Sequence, residues 1–220
     1  MLLDNKTKTE DNENATVYDF LSSYIEQGKV DIVTGYFSVS ALARINDEIN
    51  DPEGFRMVLG NLLKEENQQD RALNLLSDSL GITQVLNLSQ SAIKAVDFLR
   101  QEKVQVKTIQ RSFCHAKTYI YYDPDTRKNF HIIGSSNLTD AGLGIRESGN
   151  IELNSASTGN NNDFKELTKW FSALWTSKDA LEKVELPDKS KVSVKEHIIN
   201  LIQNLYRKYT PLELYYKVLY

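Results

Sequence analysis

The sequence predicts an α/β fold in which a mixed β-sheet carries helices on both of its faces. Segments rich in β-forming residues alternate with helical patterns over the first half of the chain, and a β-hairpin follows them. The chain has 220 residues, and 40% of them are hydrophobic. This size and composition allow one well-buried core with a small appendage.

The first half of the chain supplies the alternating elements. Residues 1–15 are polar and rich in Asn and Glu, which predicts a disordered tail. Thr16 and Asp19 have the spacing of a capping box and predict a helix over 16–27. The patterns that follow predict strands at 30–37 and 55–60, a turn at 51–54, and helices at 38–49, 67–80 and 84–101.

The second half of the chain supplies a strand at 104–109 and then the hairpin, with strands at 115–122 and 129–135 around a turn at 123–128. A strand at 150–154 precedes a helix at 163–176 that has one apolar face. The charged residues 178–190 predict a connection to helices at 193–208 and 211–220. The last helix is apolar and has no closing signal, so we expect the chain to be the N-terminal part of a longer protein. A native C-terminal helix docked on the core is the alternative.

Composition excludes several classes of protein. No apolar stretch reaches the about 18 residues of a membrane span, so we expect no membrane partner. The polar, acidic start is unlike a secretory signal. The single cysteine, Cys114, forms no internal disulfide and indicates a reducing cytoplasm. Three scattered histidines and one cysteine do not make a metal-ligand cluster, so we expect no metal and no cofactor.

Charge is distributed unevenly along the chain. The net charge of −4 argues against a protein that coats DNA non-specifically. Residues 100–131, in contrast, hold seven lysines and arginines against three acidic residues. A phosphate-bearing substrate would favour a basic stretch of this kind, although a solvated basic surface explains the charges equally well.

The segments that carry chemistry are His115-Ala-Lys117, Gly134-Ser-Ser-Asn137 and Asn150-Ile-Glu152. Side chains alternate along a strand, so His115 and Lys117 are expected to share one face. The hairpin returns Ser135, Ser136 and Asn137 to the neighbourhood of His115, and Gly134 allows a close backbone approach. The result is a predicted phosphoryl-transfer pocket, in which a fixed cation and amide donors stabilise the developing charge.

The residue types suggest a role for each group in this pocket. A histidine attacks phosphorus when a carboxylate holds its second ring nitrogen, and Glu152 is the best candidate for that carboxylate. The amide of Asn137 offers two N–H donors to a phosphoryl oxygen. Tyr119, Tyr121 and Tyr122 continue the strand; base stacking is one interpretation of them, and packing within the sheet is the favoured one.

The combination of His115-Ala-Lys117 with Gly134-Ser-Ser-Asn-Leu-Thr139 resembles the His-Lys-Asp motif of the phospholipase D superfamily. The resemblance is tight over 115–152 and looser over 16–177, where it includes Thr34-Gly-Tyr-Phe37. It implies an α-β-α sandwich and metal-independent hydrolysis of phosphodiesters through a phosphohistidine. It also implies that His115 is the nucleophile, that Lys117 and Asn137 bind the phosphate with help from Ser135 or Ser136, and that Glu152 orients His115.

Two departures from the family pattern matter. The family's aspartate falls at Tyr122, and Asp123 stands one position late, which reverses its direction on an alternating strand. The chain also holds one motif, whereas the family's reaction uses a second histidine to protonate the leaving group. His131 and His197 lie outside any His-x-Lys pattern, and packing explains them best. We therefore expect a homodimer with the site at its two-fold interface.

The leading hypothesis is a hydrolase that cleaves nucleic acid, with DNA favoured over RNA. Residues 16–177 would form the nuclease domain, and 178–220 would form a helical extension leading into a helicase or restriction-type protein. The displaced aspartate supports the alternative of a non-catalytic nucleic-acid-binding module. A lipid phosphodiesterase is disfavoured because no amphipathic anchor is evident.

Overall fold

The computed structural model describes residues 1–6, 15–48, 53–60, 82–109, 114–186 and 188–205. The strands are β1 (Leu2–Asp4), β2 (Ala15–Thr16), β3 (Lys29–Thr34), β4 (Gly54–Leu59), β5 (Val104–Ile109), β6 (Thr118–Tyr122), β7 (Asn129–Gly134), β8 (Leu153–Thr158), β9 (Ala180–Leu181), β10 (Lys183–Glu185) and β11 (Lys191–Ser193). The helices are α1 (Val17–Tyr24), α2 (Val39–Glu48), α3 (Ile82–Arg100), α4 (Asp140–Leu143), α5 (Asn162–Thr176) and α6 (Val194–Leu205).

One mixed sheet organises the chain, with strand order β2-β1-β8-β7-β6-β3-β4-β5-β9. The adjacent strands β3, β4 and β5 are parallel, while β6 runs antiparallel to β3 and forms a hairpin with β7. Parallel neighbours need a crossover between them. The chain leaves β3 through α2 and reaches β5 through α3, as the alternation in the sequence predicts.

Helices cover both faces of the sheet, so the predicted α-β-α sandwich is confirmed. The inner face packs against α1, α2, α3 and α6, and its largest buried side chains include Phe55, Phe98 and Phe130. The outer face packs against α5, whose Phe164, Phe171 and Trp175 meet Val33, Val58 and Ile120. None of the helices in the described ranges is both long and apolar enough to cross a membrane.

The capping box predicted at the start of α1 is confirmed. The Thr16 hydroxyl accepts from the Asp19 N–H at 3.0 Å, and the Asp19 carboxylate accepts from the Thr16 N–H at 3.1 Å. The helix nevertheless ends at Tyr24 rather than at Gln27, because Ile25 becomes extended and turns its side chain into the core. Caps therefore define the start of this helix, and tertiary burial defines its end.

Two regions differ from the elements that the sequence predicts. Leu2–Asp4 is strand β1 instead of part of a disordered tail, because Leu3 is fully buried and the strand pairs with β8. The strand predicted at 150–154 begins at Leu153 and runs to Thr158. Its small polar residues gave no alternating hydrophobic signal, and only Ala156 and Asn154 are buried.

The region predicted to be a connection contains short strands. Within 178–190, β9 pairs with β5 at one edge of the sheet, and β10 pairs with β11, which follows this region. The apolar side chains of α6, including Ile198 and Ile202, join the inner core. The division at residue 177 stays a prediction, and the helices predicted at 67–80 and 211–220 lie outside the described residues.

Both histidines outside the motif are expected to make the protein less stable in mild acid. Burial lowers the pKa of His131 and of His197, while Asp163 partly opposes this shift at His131. The unfolded chain therefore binds protons below about pH 6.5 that the folded chain does not, and the free energy of unfolding falls as the pH drops from 6.5 towards the lowered pKa values. Urea unfolding at pH 7.5 and 5.5 measures this difference.

Replacing both groups by phenylalanine keeps a ring in each position and removes the titration. In the doubly substituted protein, His131→Phe with His197→Phe, neither position can take up a proton. The free energy of unfolding is therefore expected to differ less between pH 7.5 and pH 5.5 than it does in the wild type. An unchanged slope between pH 7.5 and 5.5 would show that other groups cause the acid sensitivity.

Candidate active site

His115 and Lys117 lie in an extended segment that leads directly into β6. The strand predicted from residue 115 begins at Thr118, yet the Lys117 carbonyl still accepts from the Gly134 N–H at 3.2 Å. The Lys117 ammonium donates to the His115 carbonyl at 2.7 Å and lies 3.1 Å from Nδ1 of the same residue. The imidazole and the ammonium therefore share one site, as the alternation along the segment predicts.

The two side chains differ in exposure. His115 is exposed to solvent, whereas Lys117 is 9% exposed. Burial lowers the pKa of the Lys117 ammonium, and the Glu152 carboxylate acts in the opposite direction. Glu152 also contributes to the raised pKa of Tyr119, after burial as the larger cause. Glu152 is thus close enough to act on both groups electrostatically.

Asn137 is held in one orientation by the loop that follows β3. Its Oδ1 atom accepts from the N–H groups of Gly35 and Tyr36 at 3.0 and 3.2 Å. Backbone N–H groups only donate, so the atom that faces them must be the amide oxygen, and the NH2 group points the other way. The loop Thr34–Phe37, which the family resemblance includes, thereby presents the donors of Asn137.

The strand register places Asn137 beside Lys117. Val33 in β3 pairs with Thr118 in β6, so the next antiparallel position brings Thr34 opposite Lys117. The Thr34 hydroxyl lies 3.3 Å from Oδ1 of Asn137. The cation and the amide that the sequence singles out therefore meet at the same edge of the sheet.

Asn137→Asp separates the structural role of this residue from the phosphate-binding role that the sequence predicts for it. The carboxylate can accept the same N–H bonds, so the melting temperature is expected to stay within a few degrees of wild type. The NH2 donors are replaced by negative charge, and we expect the affinity for a phosphodiester substrate to fall at least about tenfold. Asn137→Ala is the comparison, because it also loses the loop contacts and should unfold at lower temperature.

The two serines are held by β8. The Ser135 hydroxyl accepts from the Leu153 N–H at 3.0 Å. Ser136 is fully buried, and its hydroxyl accepts from the Asn154 amide at 2.8 Å, while its own N–H donates to Asn154 Oδ1 at 3.1 Å. Ser136 therefore supports the site from inside the fold, and Ser135 is the serine at the surface.

Sequence reasoning missed two asparagines that build the site. Asn154 joins Ser136, as described above. Asn5 is also buried, and it accepts from the Glu152 N–H at 3.0 Å while donating to the Asn150 carbonyl at 3.1 Å. Glu152 lies just before β8 rather than within a strand, and the N-terminal segment positions it through Asn5. A single asparagine in a polar segment gives no sequence signal for such a role.

Asp123 lies at the other end of the hairpin. Its carboxylate accepts from the N–H groups of Asp125 and Thr126 at 2.9 and 3.2 Å and from the Thr126 hydroxyl at 2.5 Å. The Thr126 hydroxyl is also the main cause of its lowered pKa. Lys117 and Asp123 flank the five residues of β6, which places them roughly 20 Å apart at about 3.3 Å per residue, so Asp123 stabilises the turn.

Other candidates in the neighbourhood have packing roles. Tyr119 and Tyr121 are buried in the inner core, with the Tyr119 hydroxyl donating to the Ser136 carbonyl at 3.1 Å. His131 is buried on the outer face beside Phe164. Cys114 packs against the outer core. Across the described ranges, no three His, Cys, Asp or Glu side chains are grouped so that they could hold a metal ion.

Comparison with known families identifies this arrangement. Residues 23–175, more than half of the chain, match the family described as cardiolipin synthase, PLD-like domain. The chain belongs to the phospholipase D-like family. Its class is therefore that of hydrolases acting on phosphodiester bonds. The match spans β3 to α5 and includes the loop after β3, the His115 segment and the Gly134–Asn137 turn.

Solved structures of low sequence identity are also similar to this chain. They include yeast tyrosyl-DNA phosphodiesterase, at 13% identity and a TM-score of 0.44, and a mutant of the same enzyme, at 12% identity and a TM-score of 0.45. Each match covers 81% of this chain, which spans 37–39% of the length of those chains. No curated protein sequence matches the chain.

Proposed function

We propose that this phospholipase D-like domain cleaves nucleic acid, with DNA as the favoured substrate and the imidazole of His115 as the nucleophile. The observation that carries the proposal is the pairing of the exposed imidazole with the Lys117 ammonium 3.1 Å away. A neutral nucleophile beside a fixed cation suits attack on an anionic phosphodiester. The donors of Asn137, oriented by the loop after β3, add to the binding of the phosphate.

The proposed reaction has two steps, and neither needs a metal or a cofactor. A ring nitrogen of His115 forms a bond to phosphorus, and the bond from phosphorus to the leaving oxygen breaks. Water then attacks the phosphohistidine, which releases the phosphate end and restores the imidazole. Lys117 and Asn137 hold the phosphoryl oxygens in both steps, Ser135 assists at the surface, and Glu152 orients the imidazole.

The leaving oxygen needs a proton, and a second chain is proposed to supply it. Among the described residues, the other two histidines are His131, which is buried in β7, and His197, which is half-buried in α6. His115 of a second copy, related by a two-fold axis, can act as the general acid in the first step, and the neutral imidazole left there can take the proton of the attacking water in the second step. The active form is therefore proposed to be a homodimer with both His115 side chains facing one phosphate.

Trapping the covalent intermediate tests this chemistry. Protein and a DNA substrate are mixed in excess EDTA and quenched under denaturing alkaline conditions, where a phosphorus–nitrogen bond survives. Mass spectrometry of the peptide that contains residue 115 is expected to show a nucleotide adduct, together with DNA cleavage. Cleavage that stops in EDTA, or an adduct on another residue, would contradict the proposal.

We also propose that the domain operates at the N-terminal side of a helicase or restriction-type protein. The support is the resemblance of Ser136-Asn-Leu-Thr139 and the following Gly142-Leu-Gly144 to nuclease-like domains that precede helicase motors. A phosphate-cradling ATPase motif encoded beyond Tyr220 is the observation that tests this placement. A continuation without such a motif would count against it.

A non-catalytic nucleic-acid-binding module is the second candidate. It is favoured by the place of Asp123 in the hairpin turn and by the bond between Lys117 and the His115 carbonyl. It predicts salt-sensitive binding without cleavage, and binding that His115→Ala leaves unchanged. Cleavage in EDTA by the wild-type protein decides between the two candidates.

A further inference from the structure

A second cleft, of about 510 Å³, lies between α5 and the outer face of β6, β3, β4 and β5. Asp31, Arg56 and Gln105 form its floor, because they are register partners on neighbouring strands and face the same side of the sheet. Tyr122 stands at its rim, at the end of β6. The cleft therefore opens at the edge of the sheet opposite to His115, which precedes β6. We call it the α5 cleft.

The floor of the α5 cleft carries a fixed cation. Arg56 donates from Nε and Nη2 to the two carboxylate oxygens of Asp31, both at 2.7 Å. Its guanidinium also lies over the rings of Phe171 and Trp175, at 4.9 and 5.5 Å from their centroids. These contacts hold the group in place, and Nη1 is the nitrogen that neither bond to Asp31 uses.

The ion pair at this floor calls for an explanation beyond stability. Burial raises the pKa of Asp31, and the hydrogen bond and charge of Arg56 oppose that change. The Asp31 side chain is 12% exposed and the Arg56 side chain 34% exposed, and a partly buried pair of this kind adds little stability because both ions lose water. A ligand that binds to the Arg56 guanidinium would explain why this fixed cation lies in an open cleft.

The walls of the cleft provide an aromatic surface and apolar packing. Ile120 and Phe164 are buried beneath it, while Tyr122 remains 41% exposed. An exposed tyrosine over an apolar wall is a platform for a planar ring, since every nucleobase has a π-face that can stack. The apolar part of the ligand is thus expected to be a flat ring.

Polar groups surround that surface. Lys29 and Lys103 bring positive charge to the rim, and Glu53 lies 3.8 Å from the Lys29 ammonium. Gln105 and Thr168 supply neutral donors and acceptors of the kind that contact a base edge. A ring platform, edge contacts and cations together match a base that is joined to a phosphate.

We propose that the α5 cleft binds a nucleotide, with its base against Tyr122 and its phosphate towards Lys103 and Arg56. The nucleotide is either a free mononucleotide or one unit of a single strand, since both present the same base and phosphate. Tyr122 at the rim lies roughly 16 Å from Lys117 along β6, so occupation of the cleft does not require the catalytic groups. This binding is independent of whether the domain cleaves nucleic acid.

Isothermal titration calorimetry in EDTA tests the proposal, with the full chain carrying His115→Ala so that no substrate is consumed. The probes are the four ribonucleoside monophosphates, a 5′-phosphorylated single-stranded oligonucleotide, and inorganic phosphate. Saturation by a monophosphate assigns the cleft to a free nucleotide. If only the oligonucleotide saturates the protein, and if Tyr122→Ala weakens that binding, the cleft is assigned to a nucleotide within a strand.

Matched variants locate the binding. Tyr122→Ala is expected to weaken binding about tenfold through the lost stacking, and Lys103→Ala to weaken it through the lost charge. Tyr24 is 40% exposed on α1, so Tyr24→Ala is a control for loss of an exposed tyrosine and should leave the affinity unchanged. Equal binding of inorganic phosphate, no saturation by any nucleotide probe, or an affinity that Tyr122→Ala does not alter would overturn the proposal.

Discussion

His115→Ala is expected to lower the rate of DNA cleavage by at least about 1,000-fold. The substitution removes the atom that would bond to phosphorus, and in a dimer it also removes the general acid, each of which contributes a large factor. Because His115 is exposed, the melting temperature should change little. Single-turnover cleavage of a labelled DNA measures the rate, and thermal unfolding measures the fold.

A mixed dimer sharpens this prediction. When one protomer is wild type and its partner carries His115→Ala, the shared site of the proposed homodimer would hold one imidazole instead of two, and the heterodimer is expected to be nearly inactive. Two independent sites would retain about half of the wild-type rate, and that result would exclude the shared site. His197→Gln is the control for loss of a histidine outside the motif and should keep the wild-type rate.

Gly134→Ala is expected to destabilise the protein by about 3 kcal/mol. A Cβ atom at this position would lie 2.3 Å from Oδ1 of Asn154, 2.5 Å from the Leu153 carbonyl oxygen and 2.6 Å from the Asn154 Cα. Two of these atoms belong to the backbone of β8, so relief of the clash requires the strands to separate, and overpacking of this kind costs a few kcal/mol. Urea unfolding measures the loss.

Gly149→Ala is the matched control for Gly134→Ala. Nothing lies within 4 Å of a Cβ atom built at Gly149, so its substitution should change stability by less than about 0.5 kcal/mol. Gly134→Ala should also reduce cleavage, because Asn154 holds Ser136 and the turn that carries Asn137. Equal stabilities of the two variants would show that β8 leaves room for a Cβ atom at position 134, which would contradict the close approach of β7 and β8.

Local patterns in the chain were sufficient for much of the fold. The capping box at Thr16, the hairpin around 123–128 and the strand at 104–109 depend on residues close in sequence, and all three are confirmed. The strand predicted at 150–154 is found at Leu153–Thr158, because β8 is stabilised by pairing with β1 and β7, which are distant from it in sequence. Its own residues contain little of the information that places it.

The sequence by itself determined the motif: His115 and Lys117 two residues apart, and a glycine where two strands approach. Only the tertiary structure decided that Ser136 is buried, that Asp123 belongs to the turn, and that Asp31 meets Arg56 under α5. The physical reason is distance along the chain. Periodicity and capping act over a few residues, whereas hydrogen bonds such as those of Asn137 with Gly35 join segments about one hundred residues apart.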